Sequence, residues 1–142
     1  MFCGYAQIKT HRNWWITADP FCDIGEYYRS IFNFEYRAYV KIQKPKWGYH
    51  ISVLRKEEPN LNKDKFEEKN GLTISFEYDN VYNIGDNHIW FDVFSKDIDD
   101  LRRFFGLPIK PEYPLHLTIG YIENIYNINW LHNQREVSER QS

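Results

Sequence analysis

The stretch PLHLTIGY, residues 114–121, alternates apolar and polar side chains over most of its length, as a half-buried β-strand does. Successive side chains of a strand point to opposite faces, so His116 and Thr118 share one face while Leu117 and Ile119 share the other. We therefore predict a strand that covers a core on one side and presents an imidazole beside a hydroxyl on the other.

A second stretch, YHISVLR at residues 49–55, has the same arrangement of side chains. His50 and Ser52 point to one face of the predicted strand, and Ile51 and Val53 point to the other. One H-x-[S/T] pattern in a strand is weak evidence of function, because most such histidines are structural. Two of them at corresponding positions of one chain favour a shared chemical role.

The chain of 142 residues is long enough for a single domain with a sizeable core. Each half is predicted to run in the same order: hairpin, helix, extended segment and motif strand. The halves span about residues 1–56 and 72–124, with a charged connection at 57–71 and a polar tail at 125–142. The predicted elements are a hairpin at 5–18 turning at 11–13, a helix capped by Asp19 with Pro20 in its first turn and ending near Asn33, strands at 36–42 and 49–54, a hairpin of 72–82 with 88–94, and a helix at 96–105 that Ser95 caps and Gly106 ends.

Composition limits the partners that the protein can have. The formal net charge of −2 argues against binding long DNA or RNA, which requires a basic surface. The two cysteines, Cys3 and Cys22, form no disulfide framework and favour a reducing compartment. Neither a secretory leader nor an apolar run long enough for a membrane span is evident, so we expect a cytoplasmic protein that does not enter membranes.

Aromatic residues make up 18% of the chain, which is well above the usual share. Core filling is the ordinary use of such rings, and stacking on nucleobases is the alternative. The candidate substrate-binding residues are Tyr5, Trp14, Trp90 and Tyr113, with Lys110 as a phosphate-binding candidate. The other histidines, His11, His88 and His132, have no hydroxyl residue two positions on and are interpreted as bystanders.

Two imidazoles and two hydroxyls suit the cleavage of a phosphodiester bond. An imidazole titrates near neutral pH, so one histidine can accept a proton from the attacking hydroxyl and the other can donate one to the leaving oxygen. The hydroxyls of Ser52 and Thr118 can donate to the nonbridging phosphate oxygens. Because the sequence lacks H-x-H, H-E-x-x-H and other tight ligand clusters, we expect no metal and no cofactor.

The motifs HISV at 50–53 and HLTI at 116–119 resemble those of the 2H phosphoesterase superfamily, which is named for two H-x-[S/T] motifs. The resemblance implies an α+β, bilobal fold in which two antiparallel sheets surround a central cleft and the helices lie outside. It also implies metal-independent chemistry on phosphodiesters, with His50 and His116 as general acid and base and with Ser52 and Thr118 binding phosphate.

The short chain, the motif separation of 66 residues (116 − 50) and the richness in Asn, Ile, Lys and Tyr are similar to the phage anti-CBASS enzymes of that superfamily. This likeness implies a hydrolase that removes cyclic di- or trinucleotide immune signals in the cytoplasm of the host bacterium. Two alternatives stay open: an RNA-end 2′,3′-cyclic phosphodiesterase or repair enzyme, and a sponge that binds cyclic nucleotides without turnover. Self-association, the assignment of acid and base, attack by water or by a 2′-hydroxyl, and a lid role for the tail also stay open.

Overall fold

Residues 1–122 are the part of the chain that this computed structural model describes, and they form seven strands and three helices. Mixed helices and antiparallel strands confirm the predicted α+β class. The elements in chain order are β1 Phe2–His11, β2 Trp15–Pro20, α1 Ile24–Glu35, β3 Ile51–Arg55, α2 Lys63–Glu67, β4 Thr73–Tyr78, β5 Asn83–Gly85, β6 His88–Phe94, α3 Lys96–Phe104 and β7 His116–Tyr121.

All seven strands belong to one sheet, in the order β4-β1-β2-β3-β7-β6-β5. A further pairing between β4 and β6 closes six of them into a barrel. The separate sheets that the sequence predicted are therefore joined, because the motif strands β3 and β7 pair with each other and β4 pairs with β6. Both junctions are short: the first has one Cα pair and the second has two.

The helices pack on the apolar face of this sheet. Ile51, Leu117 and Phe91 on the strands are fully buried, and the ring of Tyr28 on α1 lies edge-on to Phe91 at 4.8 Å between centroids. A barrel of this few strands leaves room inside for side chains but not for a helix. The helices therefore lie outside, and the opposite, more polar face of the sheet is called the interior face of the barrel here.

Two sequence predictions on the first half are wrong. Asp19 and Pro20 do not start a helix, because the ladder between β1 and β2 continues to the pair Ala6 and Pro20. Proline is tolerated at this strand end because it lacks only a donor. The chain then turns through left-handed residues, including Asp23 at φ 49°, before α1 begins. The predicted strand at 36–42 is also absent from the structure, where Asn33 holds the backbone of Ile42 instead.

The second half differs in how its strands pair. The strand predicted at 72–82 ends at Tyr78 and pairs mainly with β1, and the hairpin partner of β6 is the short strand β5. Asp86 and Asn87, both with positive φ, form the tight turn that joins β5 to β6. The helix limits are confirmed: Ser95 accepts from the backbone of Ile98, and Gly106 at φ 73° follows the end of α3.

The order hairpin, helix and motif strand occurs twice, as β1–β2, α1, β3 and as β5–β6, α3, β7. No helix within residues 1–122 has both the length and the apolar character needed to cross a membrane. The tail predicted at 125–142, with His132, lies outside the described residues.

Candidate active site

The two histidine motifs meet at one backbone pairing. Ile51 of β3 lies opposite Leu117 of β7, and both side chains are fully buried in the core. In an antiparallel pair the residues on either side of this match also face each other, and they point away from the core. His50 is thereby set beside Thr118, and Ser52 beside His116, on the interior face of the barrel.

All four of these side chains are half-buried, so solvent reaches them. The surface between them is called the cleft here. The residues that were predicted from sequence to be catalytic are therefore brought together across 66 residues of chain (116 − 50). Their geometry suits contact with a single small group placed between the strands.

Each motif strand carries a β-bulge directly after its hydroxyl residue. Between β2 and β3 the register changes from Ile16 opposite Leu54 to Thr17 opposite Ser52, which leaves Val53 as the extra residue. Between β6 and β7 it changes in the same way, and Ile119 is the extra residue. A bulge increases the local twist and re-aims the side chains that follow it. The two motifs thus share a backbone irregularity as well as a sequence pattern.

The backbone fixes the tautomer of both histidines. His50 Nδ1 lies 3.1 Å from the carbonyl oxygen of Gly48, and His116 Nδ1 lies 2.8 Å from that of Pro114. A carbonyl oxygen can only accept, so each Nδ1 carries a hydrogen. The neutral rings therefore present an unprotonated Nε2. His88 makes the same bond to Asp86 at 2.7 Å, so the contact alone does not identify a catalytic histidine.

The ring of a tryptophan lies beside that of each motif histidine. The ring of Trp15 on β2 is 5.5 Å from that of His50 and nearly perpendicular to it, at 85°. Trp90 on β6 lies opposite Thr118 in the ladder, and its ring is 6.3 Å from that of His116. The two indoles form the side walls of the cleft.

A hydrogen-bonded network lies beside the first motif. Thr17, opposite Ser52, donates its hydroxyl to Asp19 Oδ1 at 2.9 Å and lies 2.9 Å from His11 Nε2. Since the hydroxyl hydrogen is used on Asp19, the Nε2 of His11 donates to Thr17. Lys9 Nζ lies 3.1 Å from Asp19 Oδ2 and balances its charge. This network links β1 to β2 at the residue that lies opposite the hydroxyl of the first motif.

His11, which was interpreted from sequence as a bystander, forms part of this network. Its ring also lies 4.5 Å from that of Trp15. The signal that could have found it is the register of the hairpin, which sets His11 opposite Trp15.

The surroundings of His50 change its ionisation. Burial lowers the pKa of His50 below its ordinary value of 6.5, and the charges of His116 and Arg55 lower it further, while the Gly48 carbonyl and Asp19 act in the opposite direction. His50 is therefore mostly neutral at pH 7. His116 is among the charges that act on His50, in agreement with the position of both motifs at the junction of β3 and β7.

A buried arginine on α3 connects the two motif segments. Arg102 is fully buried and pairs with Glu57 through two bonds of 2.9 and 2.7 Å. It also donates to the carbonyl of Val53, the bulge residue of β3, at 2.9 Å, and to that of Pro108, on the segment leading to β7, at 2.7 Å. Sequence reasoning missed Arg102 because a helical arginine among charged neighbours looks like a surface residue.

The two candidate tryptophans of the substrate-binding set lie in different places. Trp90 is brought to His116, as described above. Trp14 packs edge-on against Phe66, 5.0 Å away, and lies with the core, so the indole beside His50 is that of its neighbour Trp15.

The other three candidates are not brought to the histidines by any contact in residues 1–122. Tyr5 is 62% exposed on β1, two strands from β3. Tyr113 and Lys110 are exposed on the segment before β7.

Metal sites and cavities were sought among residues 1–122. Within the described part of the chain, no group of three or more His, Cys, Asp or Glu side chains could hold a metal ion. A depression of about 260 Å³ lies along β1, where residues 7–11 meet Asn70 and Gly71. This depression lies on the far side of β2 from the two histidine motifs.

Comparisons of the whole chain with protein-family models, with curated proteins and with solved structures find no match.

Proposed function

We propose that this protein is a metal-independent phosphodiesterase of the 2H kind that hydrolyses cyclic di- or trinucleotides. The observation that carries the proposal is the pairing of Ile51 with Leu117, which sets two H-x-[S/T] motifs side by side on the interior face. On this proposal β4-β1-β2-β3 and β7-β6-β5 are the two lobes of a 2H fold, and their short junctions border the cleft.

In the proposed reaction His50 is the general base. Its lowered pKa keeps the ring neutral at pH 7, and its Nδ1 hydrogen is held by Gly48, so Nε2 is the atom that accepts a proton. The proton comes from the attacking hydroxyl, either water or the 2′-hydroxyl of the substrate. The oxygen of that hydroxyl then forms a bond to phosphorus.

His116 is the general acid. In its protonated form both ring nitrogens carry hydrogen, and Nδ1–H remains bound to the Pro114 carbonyl. Nε2–H is then free to give its proton to the leaving oxygen as the original P–O bond breaks. The two histidines end with their protonation states exchanged, and solvent restores them before the next turnover.

Ser52 and Thr118 bind the two nonbridging oxygens of the phosphate. Each hydroxyl lies across the junction from the histidine of the other motif, so the phosphate contacts both strands at once. Donors aimed at charge that develops in the transition state typically contribute about 2.7–4 kcal/mol each.

A small substrate fits the charge and the walls of the cleft. The net charge of −2 gives no general attraction for long nucleic acid, whereas the indoles of Trp15 and Trp90 offer apolar walls for bases. This combination favours a short, base-stacked cyclic oligonucleotide.

The decisive experiment is incubation of the protein with cyclic dinucleotides in the presence of EDTA. We expect turnover by the wild type, and losses of at least about a hundredfold in His50→Ala and His116→Ala, since positioned acids and bases typically contribute 10²–10⁴-fold. His88→Ala is the matched control, because His88 makes the same Nδ1–carbonyl bond but lacks the motif hydroxyl. It should retain wild-type turnover.

Activity that requires added metal, or that survives both substitutions, would overturn the mechanism. Faster cleavage of linear RNA 2′,3′-cyclic phosphate ends than of cyclic dinucleotides would favour RNA processing. Stoichiometric binding with intact ligand recovered after denaturation would identify a sponge.

A further inference from the structure

The bulge in β3 brings a third residue to the face that carries His50 and Ser52. In a regular strand the side chain three positions after Ser52 would point to the core. Because the bulge places Val53 and Leu54 consecutively in the core, Arg55 returns to the interior face of the barrel. Its position in the ladder agrees, since Arg55 lies opposite Trp15, the residue whose ring contacts His50.

Arg55 forms no salt bridge within residues 1–122. Arg29 and Arg102 each bind a glutamate, whereas Arg55 forms no ion pair with any carboxylate in this range, and its side chain is exposed. Its charge nevertheless acts on His50, which places the guanidinium within electrostatic range of the catalytic ring. An exposed arginine in this position can bind an anion without first breaking a salt bridge.

The position of Arg55 along the cleft indicates which anion it can bind. Ser52 and His116 face each other, and Arg55 lies beyond them at one end of the cleft. The bulge in β7 brings Tyr121 to the same face at the opposite end, opposite His88. The cleft therefore has one cationic and one aromatic end, with the scissile phosphate between them. Arg55 follows Ser52 by three residues, which span roughly 10 Å at most along a strand, and the long arginine side chain covers part of that distance.

We propose that Arg55 binds a second phosphate of the substrate, so that the preferred substrate class has at least two phosphates rather than one. This inference rests on the proposed function. The planar guanidinium offers two parallel N–H groups to a phosphate, which gives orientation as well as attraction. A cyclic dinucleotide satisfies the requirement, and a nucleoside cyclic monophosphate does not.

The test compares two substrates, a cyclic dinucleotide with two phosphates and bis(p-nitrophenyl) phosphate with one. Arg55→Gln should raise KM for the cyclic dinucleotide at least about tenfold more than KM for the single-phosphate diester, as expected for one charge-assisted bond. Arg55→Lys keeps the positive charge but lacks the paired N–H groups of the guanidinium. It should therefore show a smaller difference between the KM changes for the two substrates than Arg55→Gln does. Arg103→Gln, at an exposed position on α3, is the matched control and should behave as the wild type.

Equal effects of Arg55→Gln on both substrates, or no effect on either, would overturn the inference. If the wild type hydrolyses neither compound, the proposed function fails, and the inference is then judged by calorimetric titration with the cyclic dinucleotide. A tenfold weaker Kd in Arg55→Gln supports the phosphate contact, whereas an unchanged Kd, or no binding by the wild type, overturns it.

Discussion

Ile51 of β3 and Leu117 of β7 lie directly opposite each other and are both fully buried, at the junction that joins the two histidine motifs. Their burial determines which way the neighbouring residues point. A slip of one residue in either strand would move its imidazole and hydroxyl into the core and expose the apolar set. The core residue between each histidine and its hydroxyl is thus what orients the candidate site.

The rate of the proposed reaction should depend on the ionisation of His50. Since burial lowers its pKa, kcat/KM should fall toward acid with a midpoint below the ordinary value of 6.5. A pH–rate profile on a cyclic dinucleotide measures this directly. A midpoint at or above 6.5 would contradict the assignment of His50 as the buried base.

The lowered pKa of His50 should also make the stability of the fold decrease toward acid pH. A histidine whose pKa is lower in the folded state takes up protons more readily when unfolded, so the free energy of unfolding should decrease as the pH falls below 6.5. Urea denaturation at pH 7.5 and 5.5 measures the change. The decrease should be smaller in His50→Gln, and a decrease equal to that of the wild type would show that other groups cause it.

Loss of either motif hydroxyl should reduce turnover more than binding. Ser52→Ala and Thr118→Val remove a donor that acts mainly on developing charge, so kcat should fall by about 10²–10³-fold with a smaller change in KM. Steady-state kinetics on the cyclic dinucleotide separates the two parameters. Ser30→Ala, at an exposed position on α1, is a control that should leave both unchanged. A rise in KM alone would instead assign the hydroxyls to ground-state binding.

The adjacent tryptophans Trp14 and Trp15 should have different roles. Trp14→Ala removes packing against Phe66 and should lower the midpoint of thermal unfolding. Trp15→Ala removes the ring that holds His50, so it should lower kcat/KM by a larger factor than Trp14→Ala does. Both variants are assayed well below their unfolding midpoints. The reverse order of activities would show that Trp14, as the sequence suggested, is the ligand-facing indole.

The buried ion pair of Arg102 and Glu57 should be important for stability. Arg102→Ala leaves the Val53 and Pro108 carbonyls without their donor and should lower the free energy of unfolding by about 3–5 kcal/mol, as loss of a buried partner does. Arg103→Ala, an exposed neighbour, should change it by less than about 1 kcal/mol. Urea denaturation compares the two. Equal effects would show that the buried network contributes nothing specific.

Glu57 adds a pH dependence to that pair. Arg102 lowers the pKa of the Glu57 carboxyl below its ordinary value of 4.5, so the ion pair stabilises the fold above pH 4.5 and this contribution is lost as the pH falls further. Acid unfolding of Glu57→Gln should therefore lack the corresponding part of the wild-type decrease.

Sequence periodicity predicted the motif strands, the two faces of each as far as its bulge, and the position and cap of α3, because these features depend on local alternation and local capping. It could not predict that β3 and β7 pair, since pairing between strands far apart in the chain leaves no mark in either strand alone. The pairing of β4 with β1 was missed for the same reason. The misplaced start of α1 has a different cause: Asp19 and Pro20 are good cap residues, but the long β1 ladder extends across them.

Within the candidate site, sequence reasoning found the side chains that form a repeated pattern and missed those that do not. His11 and Arg102 have no counterpart in the other half, and each is defined only by its three-dimensional partners. Trp15 does correspond to Trp90, but the sequence favoured its neighbour Trp14. Arg55 lies close to the first motif in the sequence, but simple alternation assigns its side chain to the core side, and only the bulge reverses that assignment.

The short junctions of the barrel have a mechanical consequence. One Cα pair joins β3 to β7 and two join β4 to β6, so few backbone hydrogen bonds fix the width of the cleft. That width depends instead on the side chains that reach across, such as Tyr28 between α1 and Phe91, and Arg102 between α3 and Val53. Substitutions on the outer helices can therefore tune the spacing of the two histidines from a distance, so on the proposed function these helices are where the protein would be adapted to substrates of different size.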